Sequence, residues 1–298
     1  MTLECIASHY SGCGNDFLLF DNRKKELSQL TAKMVKSLCA VRGGAGVDGI
    51  ILVSPSKNGD AAMNIFNRDG SEAEMCGNGV RCLMQYLRQK LSYPRQRCLL
   101  ETMKRDILVS SDDTEVTVHI GKVHELGWDI TLSYNKKPLH MHFLDSGVPH
   151  VVIFVDDVDV IDVDAIGRYV RNHTHFAPNG TNVNFVSHVG NQARIRTYER
   201  GVEAETLACG TGVSASAYAL HKIHGCSSPI TFQVRSGELL TVLFEPRNTV
   251  IDTLALKGPA RWIRDYDVTL DFELGKSKLH KGKLDKNKLG QARKEHAR

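Results

Sequence analysis

No run of apolar residues in the 298-residue chain approaches the ~18 needed to cross a bilayer, so no membrane partner is expected. The chain does not open on a basic segment followed by an apolar core, which argues against a secretory signal and makes a cytoplasmic location the expectation. The eight cysteines (5, 13, 39, 76, 82, 98, 209 and 226) form no Cys-x-x-Cys pair and no Cys/His group at zinc spacing. Neither a disulfide framework nor a metal is therefore expected, and the thiols should be free. Net positive charge is lacking on the body of the chain. Residues 276–298 hold seven Lys and two Arg against Asp285 and Glu295, a charge of +7, which leaves −3 for the remainder of a chain whose total is +4. A nucleic-acid surface needs basic residues gathered on a folded face, so no nucleic-acid partner is expected. Hydrophobic and charged fractions of 42% and 24% exclude collagen-like and disordered classes. The length suits two domains of ~150 residues, each able to bury its own core.

Internal similarity is the first positive signal. The stretch Glu72-Ala73-Glu74-Met75-Cys76-Gly77-Asn78-Gly79-Val80 aligns with Glu205-Thr206-Leu207-Ala208-Cys209-Gly210-Thr211-Gly212-Val213 at a constant offset of 133. The same offset sets Gly14 on Gly147 and Gly49–Val53 on Asn182–Val186. Two related halves follow. Strand-type runs occur in each: Phe17–Phe20 and Ile50–Val53 in the first, Val151–Val155 and Ile195–Tyr198 in the second. Each half also predicts one central helix. Val80, Leu83, Met84, Leu87 and Leu91 share one face, as do Val213, Ala217, Leu220 and Ile223, the latter stopped by Gly225. The tail beyond Gly275 has too few apolar residues to bury and is expected to be disordered.

Both Cys-Gly-x-Gly segments thus fall at helix N-termini, where free backbone N–H groups and the positive end of the dipole favour an anion. Glycine admits close approach of a ligand to that backbone. Two such ends facing one another would hold a small anion such as a carboxylate. The same field draws the pKa of a cysteine from ~8.5 toward neutrality, making it a usable base. A carboxylate pinned between two thiols sets its α-carbon between acid/base groups on opposite faces, the arrangement racemisation requires. One thiolate removes the α-proton and the opposite thiol returns another, with no pyridoxal cofactor if nearby amides stabilise the carbanion.

Gly14-Asn15-Asp16-Phe17, Asn67-Arg68-Asp69-Gly70-Ser71-Glu72, Cys76-Gly77-Asn78-Gly79-Val80-Arg81-Cys82, Gly180-Thr181-Asn182, Tyr198-Glu199-Arg200-Gly201 and Leu207–Gly212 together resemble the diaminopimelate epimerase family, in family order over residues 9–265. The Cys-Gly-x-Gly pair by itself also fits the wider group of proline racemases and related isomerases. The resemblance implies an α+β fold of two pseudo-symmetric halves. Each half is a strand-rich, barrel-like sheet around a central helix, with the active site in the cleft between them. It further implies an N-terminal half over 1–125 joined by about 258–272, a C-terminal half over 126–257, and a homodimer. Carried over by position, Cys76 and Cys209 are the acid/base thiols, and the amides of Gly77, Asn78, Gly210 and Thr211 hold the reacting carboxylate. Asn15, Asn67, Asn182, Glu199 and Arg200 contact the amino-acid substrate, while His150 and Glu199 set thiol protonation. The implied activity is cofactor-independent conversion of LL- to meso-diaminopimelate, serving lysine and peptidoglycan synthesis.

Blander roles suit other residues. Cys5, Cys39, Cys98 and Cys226 read as small buried hydrophobes, Cys82 as a packing residue and Cys13 as an exposed one. Glu72 and Glu205 complement helix dipoles, and Arg81 reads as a solvated or salt-bridged helix residue. One position departs from the family pattern Gly-Asn-Pro-His: this chain has Gly147-Val148-Pro149-His150, which puts selectivity for the substrate's distal end in question. A broader amino-acid racemase, or a non-catalytic amino-acid-binding protein, therefore stays open. Retention of both thiols speaks against the binder, which needs the amides but not two bases.

Overall fold

The computed structural model describes residues 2–40, 46–112, 114–247 and 250–281. The first half runs β1 (Thr2–Gly12), β2 (Asn15–Asp21), α1 (Ala32–Cys39), β3 (Gly49–Ser54), β4 (Ala61–Asn67), β5 (Glu72–Ala73), α2 (Gly77–Lys90), β6 (Arg97–Glu101), β7 (Asp106–Ser111) and β8 (Glu115–Gly121). The second runs β9 (His124–Tyr134), β10 (Lys137–Asp145), β11 (Pro149–Phe154), α3 (Val163–Arg171), β12 (Asn182–Val189), β13 (Gln192–Glu199), β14 (Ala204–Thr206), α4 (Gly210–His224), β15 (Ile230–Gln233), β16 (Leu239–Arg247) and β17 (Val250–Pro259). Two last strands, β18 (Arg261–Asp271) and β19 (Lys276–Lys281), close the described chain.

Strand pairing repeats between halves. β1, β2, β3, β4, β6, β7 and β8 are neighbours in that order, with β2–β3 and β4–β6 parallel. β10, β11, β12, β13, β15, β16 and β17 follow the same order, with β11–β12 and β13–β15 parallel. The halves join where β8 pairs antiparallel with β17, Val118 opposite Leu256. β18 then returns to β1 along most of its length.

Why the paired strands read as unbroken apolar runs is clear from their two faces. Phe17, Leu19, Ile51 and Val53 pack with Val80, Leu83, Met84 and Leu87 of α2, whereas Leu18, Phe20, Ile50 and Leu52 pack with Met34, Val35 and Leu38 of α1. In the second half Val152 and Val186 face α4, while Val151, Ile153, Val183 and Phe185 face Val163 and Val170 of α3. The outer helices α1 and α3 go beyond the single central helix expected per half. They are short, and each is started by a side-chain cap: Thr31 Oγ1 accepts from Met34 N (3.3 Å) and Asp162 Oδ1 from Ala165 N (3.0 Å).

The structure corrects three expectations here. Residues 276–281 form β19, paired with β18, because Leu279 finds an apolar partner in the α1 core and the strand satisfies its backbone on β18. The remainder of the expected disordered tail, 282–298, lies outside the described residues. Ile223 is 41% exposed because α4 has turned its last apolar position out of the core. Cys13 is buried rather than exposed, since the β1–β2 turn folds in over α2. The expected stop holds: Gly225 caps α4 in the left-handed region at φ 68°.

Candidate active site

Each cysteine turn is carried by a two-strand hook. β5 pairs with β4 and leads into α2; β14 pairs with β13 and leads into α4. Cys76 and Cys209 are the N-cap residues of these helices, both in extended backbone (φ −142° and −123°), and neither helix start receives a side-chain cap. The first N–H groups therefore stay available to a ligand. At Gly77 an added Cβ would meet nothing within 4 Å, so the start of α2 is open. Both cysteine residues keep some exposed surface, although their thiols are desolvated.

The two turns converge through one amide. Asn78 Nδ2 donates to Asn15 Oδ1 (2.8 Å) and, across the cleft, to the carbonyl of Ala208 (3.3 Å), the residue before Cys209. Asn15 Nδ2 donates in turn to Asp48 Oδ2 (3.1 Å). Glu199, at the end of β13, acts on both thiols: its charge pushes the Cys76 and Cys209 thiols upward, and its carboxyl hydrogen-bonds Cys209. Burial is the larger cause for each thiol. Backbone N–H groups of Gly79 and Asn78 oppose it at Cys76, and the Thr211 hydroxyl and Gly212 N–H oppose it at Cys209. The expectation that the helix ends would draw both thiols toward neutrality is thus overturned, because desolvation outweighs the helix-end field. Glu199 is itself raised by burial, against the hydroxyl of Thr206, which donates to Oε1 at 2.8 Å.

His150, fully buried on β11, reaches Cys209 through an intermediary. Asn184 Nδ2 donates to Val151 O (2.9 Å) and to His150 Nδ1 (3.1 Å), and Thr197 Oγ1 donates to Asn184 Oδ1 (3.0 Å). With Nδ1 accepting, the ring proton sits on Nε2 and is donated to Thr211 Oγ1 at 2.9 Å. The Thr211 hydroxyl is left to donate toward Cys209 Sγ, 3.6 Å away. Burial first, then the Arg200 charge, pushes the imidazole down to about 3, so His150 is neutral.

Asn182 is held between Pro149 O (2.9 Å, from Nδ2) and Arg200 N (2.9 Å, to Oδ1), which ties β11 to the turn after β13. The Arg200 guanidinium rests on Asn179 O at 3.1 Å. Asn67 is exposed, and its amide is engaged by Ser71 Oγ within its own turn at 3.0 Å. Of the residues singled out from sequence, the structure links Cys76, Asn78, Asn15, Glu199, Cys209, Thr211 and His150 in one network. It sets Asn182 and Arg200 at its rim and leaves Asn67 outside the hydrogen bonding.

The diaminopimelate epimerase family model matches residues 7–126 and 142–263. The chain belongs to the diaminopimelate epimerase family. Curated relatives named diaminopimelate epimerase include those of Hydrogenobaculum sp. (38% identical, covering 90% of this chain and 99% of the relative) and Chlorobaculum tepidum (37%, covering 87% and 100%). In fold the chain is similar to a Bacillus anthracis phenazine biosynthesis protein of the PhzF family (TM-score 0.67, 14% identity, 89% and 99% covered). It is likewise similar to a hydroxyproline epimerase from Agrobacterium vitis (TM-score 0.66, 17% identity, 91% and 93% covered).

Two residues of this epimerase-family site receive no site role from the sequence. Asn184 is a buried amide inside the apolar run Val183–Val186, and a polar residue in such a run is the signal that could have marked it. Arg81, read from sequence as solvated or salt-bridged, is completely buried. Among the described residues no carboxylate pairs with it; its place on α2 faces the β1–β2 turn and the β17–β18 corner instead of water. Glu205 is engaged by Arg196 at 2.7 and 2.6 Å, an ion pair bracing β14 on β13 instead of a dipole complement.

Proposed function

We propose that the protein inverts one α-carbon of diaminopimelate, interconverting the LL and meso forms, with Cys76 and Cys209 as acid/base thiols and no cofactor. The observation that carries this is the pair of uncapped, thiol-bearing helix starts joined across the cleft by Asn78 and sharing the Glu199 carboxylate. The substrate carboxylate lies over the amides of Gly77, Asn78, Gly210 and Thr211. A thiolate on one side takes the α-proton and the C–H electron pair passes toward the carboxylate, where those amides and helix dipoles stabilise it. The opposite thiol then delivers its proton to the other face. Thr211, backed by neutral His150, donates to the Cys209 sulfur and favours its thiolate, whereas Glu199 favours its thiol. Cys209 therefore sits between opposing influences, as a group that must alternate roles does. Asn15, Asn67, Asn182, Glu199 and Arg200 receive the rest of the substrate.

The division into halves over 1–125 and 126–257, with about 258–272 returning to the first half, is part of this reading, and the pairing of β18 with β1 supports the return. A cytoplasmic homodimer feeding lysine and peptidoglycan synthesis completes the reading. A broader racemase is the second reading, favoured by Val148 where the family pattern has Asn. The test is incubation of the purified protein with LL- and meso-diaminopimelate in D2O, following configuration and α-deuterium together. Interconversion with one deuterium gained per inversion, abolished in Cys76→Ala and in Cys209→Ala, supports the proposal. Full activity in either variant, or dependence on added pyridoxal phosphate, overturns it.

A further inference from the structure

Among the described residues Arg81 is the most deeply buried Lys, Arg, Asp or Glu, at 0% exposure. Its Nε donates to Pro259 O (3.1 Å), where the chain crosses back from the second half to the first. Its Nη2 is 2.7 Å from Asn78 Oδ1 and 3.2 Å from Cys13 Sγ, and its Nη1 is buried with no hydrogen-bond partner. Its charge acts on Cys13, Cys76 and Cys82, and Cys13 in turn hydrogen-bonds Glu238. A buried guanidinium without a carboxylate is costly, so core filling alone is a poor account of it.

What the guanidinium does is set a direction. An amide that accepts at Oδ1 from Arg81 must present Nδ2 to the opposite side, and there Nδ2 meets Asn15 Oδ1 and Ala208 O. Asn15, accepting at its oxygen, then donates to Asp48. The row Arg81, Asn78, Asn15, Asp48 is polarised one way, from buried cation to surface carboxylate, and its side branch grips the turn that carries Cys209.

We infer that Arg81 is a positioning residue of the epimerase: by fixing the Asn78 amide it locks the Cys76 and Cys209 turns in mutual register. This rests on the two-thiol reading above. The role is also electrostatic, since the Arg81 charge lowers the Cys76 thiol.

The test compares full-length parent, Arg81→Lys and Arg81→Met. Three quantities are measured: kcat and KM by α-deuterium exchange, melting temperature, and the pH dependence of iodoacetamide alkylation at Cys76 and at Cys209, located by mass spectrometry. Arg81→Met is expected to lower kcat roughly 10- to 100-fold, the scale of a small misplacement of reacting groups. It should also move Cys76 alkylation to higher pH, and by more than Cys209 alkylation moves. Arg81→Lys keeps the charge but not the planar fork, so it should restore the Cys76 profile without restoring kcat. Unchanged kcat in both variants overturns the inference, as does an equal shift at both thiols accompanied by a collapse in melting temperature. If Arg81→Met does not fold, Arg81→Lys decides: a normal Cys76 profile with kcat down tenfold supports the role, and parental kcat overturns it. Should the parent fail to exchange diaminopimelate protons, the assigned reaction falls, while the alkylation profiles still judge Arg81.

Discussion

Gly79 and Gly212 occupy the same third position of α2 and α4, yet alanine should be tolerated at one and damaging at the other. A Cβ on Gly212 would lie 2.2 Å from Asn184 Oδ1, whereas one on Gly79 would meet Ile51 Cδ1 and Met63 Cε, each at 3.0 Å, and Ile65 Cδ1 at 3.4 Å. Side-chain methyl groups can swing aside. Asn184 cannot, because it is tied to Val151, His150 and Thr197 by three hydrogen bonds. Clearing the contact requires a retreat of about 0.8 Å, from 2.2 Å to the 3.0 Å floor of real Cβ contacts. Such overpacking costs roughly 1–3 kcal/mol, and weakening a buried hydrogen bond adds about 1. Helix propensity returns at most ~1 kcal/mol to both variants alike. Gly212→Ala should therefore be about 2 kcal/mol less stable than Gly79→Ala. At roughly 2–4 °C per kcal/mol that is a gap of about 4–8 °C in melting temperature, measured side by side by circular dichroism. Gly212→Ala should also lose turnover, since Asn184 orients the His150 that reaches Cys209 through Thr211. Melting temperatures within a degree of each other, or Gly79→Ala the weaker, would refute the reasoning.

Three other expectations can be checked with the same material. Glu199→Gln removes a carboxylate charge that raises both thiols; their pKa values should fall, so the ascending limb of kcat/KM and the alkylation profile of Cys209 should both move to lower pH, and a shift upward contradicts the assignment. Val148→Asn supplies a donor and acceptor at the distal end and should lower KM for diaminopimelate, by up to the roughly 1.5–3 kcal/mol of a hydrogen bond to a charged group; an unchanged KM means that Arg200 and Asn182 suffice. Ending the chain after Gly275 should lower the melting temperature relative to ending it after Lys281, because it strips β19 from β18 and uncovers the α1 core beside Leu279; equal stability would mean that the strand contributes nothing.

The duplication, the paired strands and both central helices are legible in the sequence because each rests on a strong local pattern: a fixed offset, two-sided apolar runs, and helical spacing after Cys-Gly-x-Gly. The outer helices are not legible in the same way. At eight and nine residues, α1 and α3 hold too few turns for periodicity to stand out, and they form by docking on strands that the chain supplies elsewhere. Strand β19 is hidden by Lys276 and Lys278, which are exposed, as charge on an edge strand normally is. In the site, the motif residues are visible but their electrostatics are not. Burial raised the thiols where the helix ends alone would have lowered them, and burial is a property of the assembled cleft.

The duplicated halves are not chemically equal, and the inequality has a pattern. Subtracting the offset of 133 from the residues around Cys209 places Glu199 on Phe66, His150 on Phe17 and Asn184 on Ile51. Three polar groups that serve the second thiol are thus matched by apolar side chains in the first half, whereas Thr211 is matched by the polar Asn78. Phe17 and Ile51 are core residues packed under α2, while His150 and Asn184 carry the chain of hydrogen bonds under α4. A symmetric site would hold both thiols in one protonation state. Two-base inversion needs one thiolate and one thiol at the same moment, and then the reverse. In this molecule the backbone of the repeat keeps the turns equivalent, so each can offer amides to the same carboxylate. The side chains beneath them differ, so Cys209 answers to Glu199 and Thr211 together, while Cys76 answers to the charges of Glu199 and Arg81. If this division is right, exchanging the two environments at one position, Ile51→Asn, should disturb Cys76 alkylation more than Cys209 alkylation. An equal response at both thiols would show that the asymmetry does not reside in these strands.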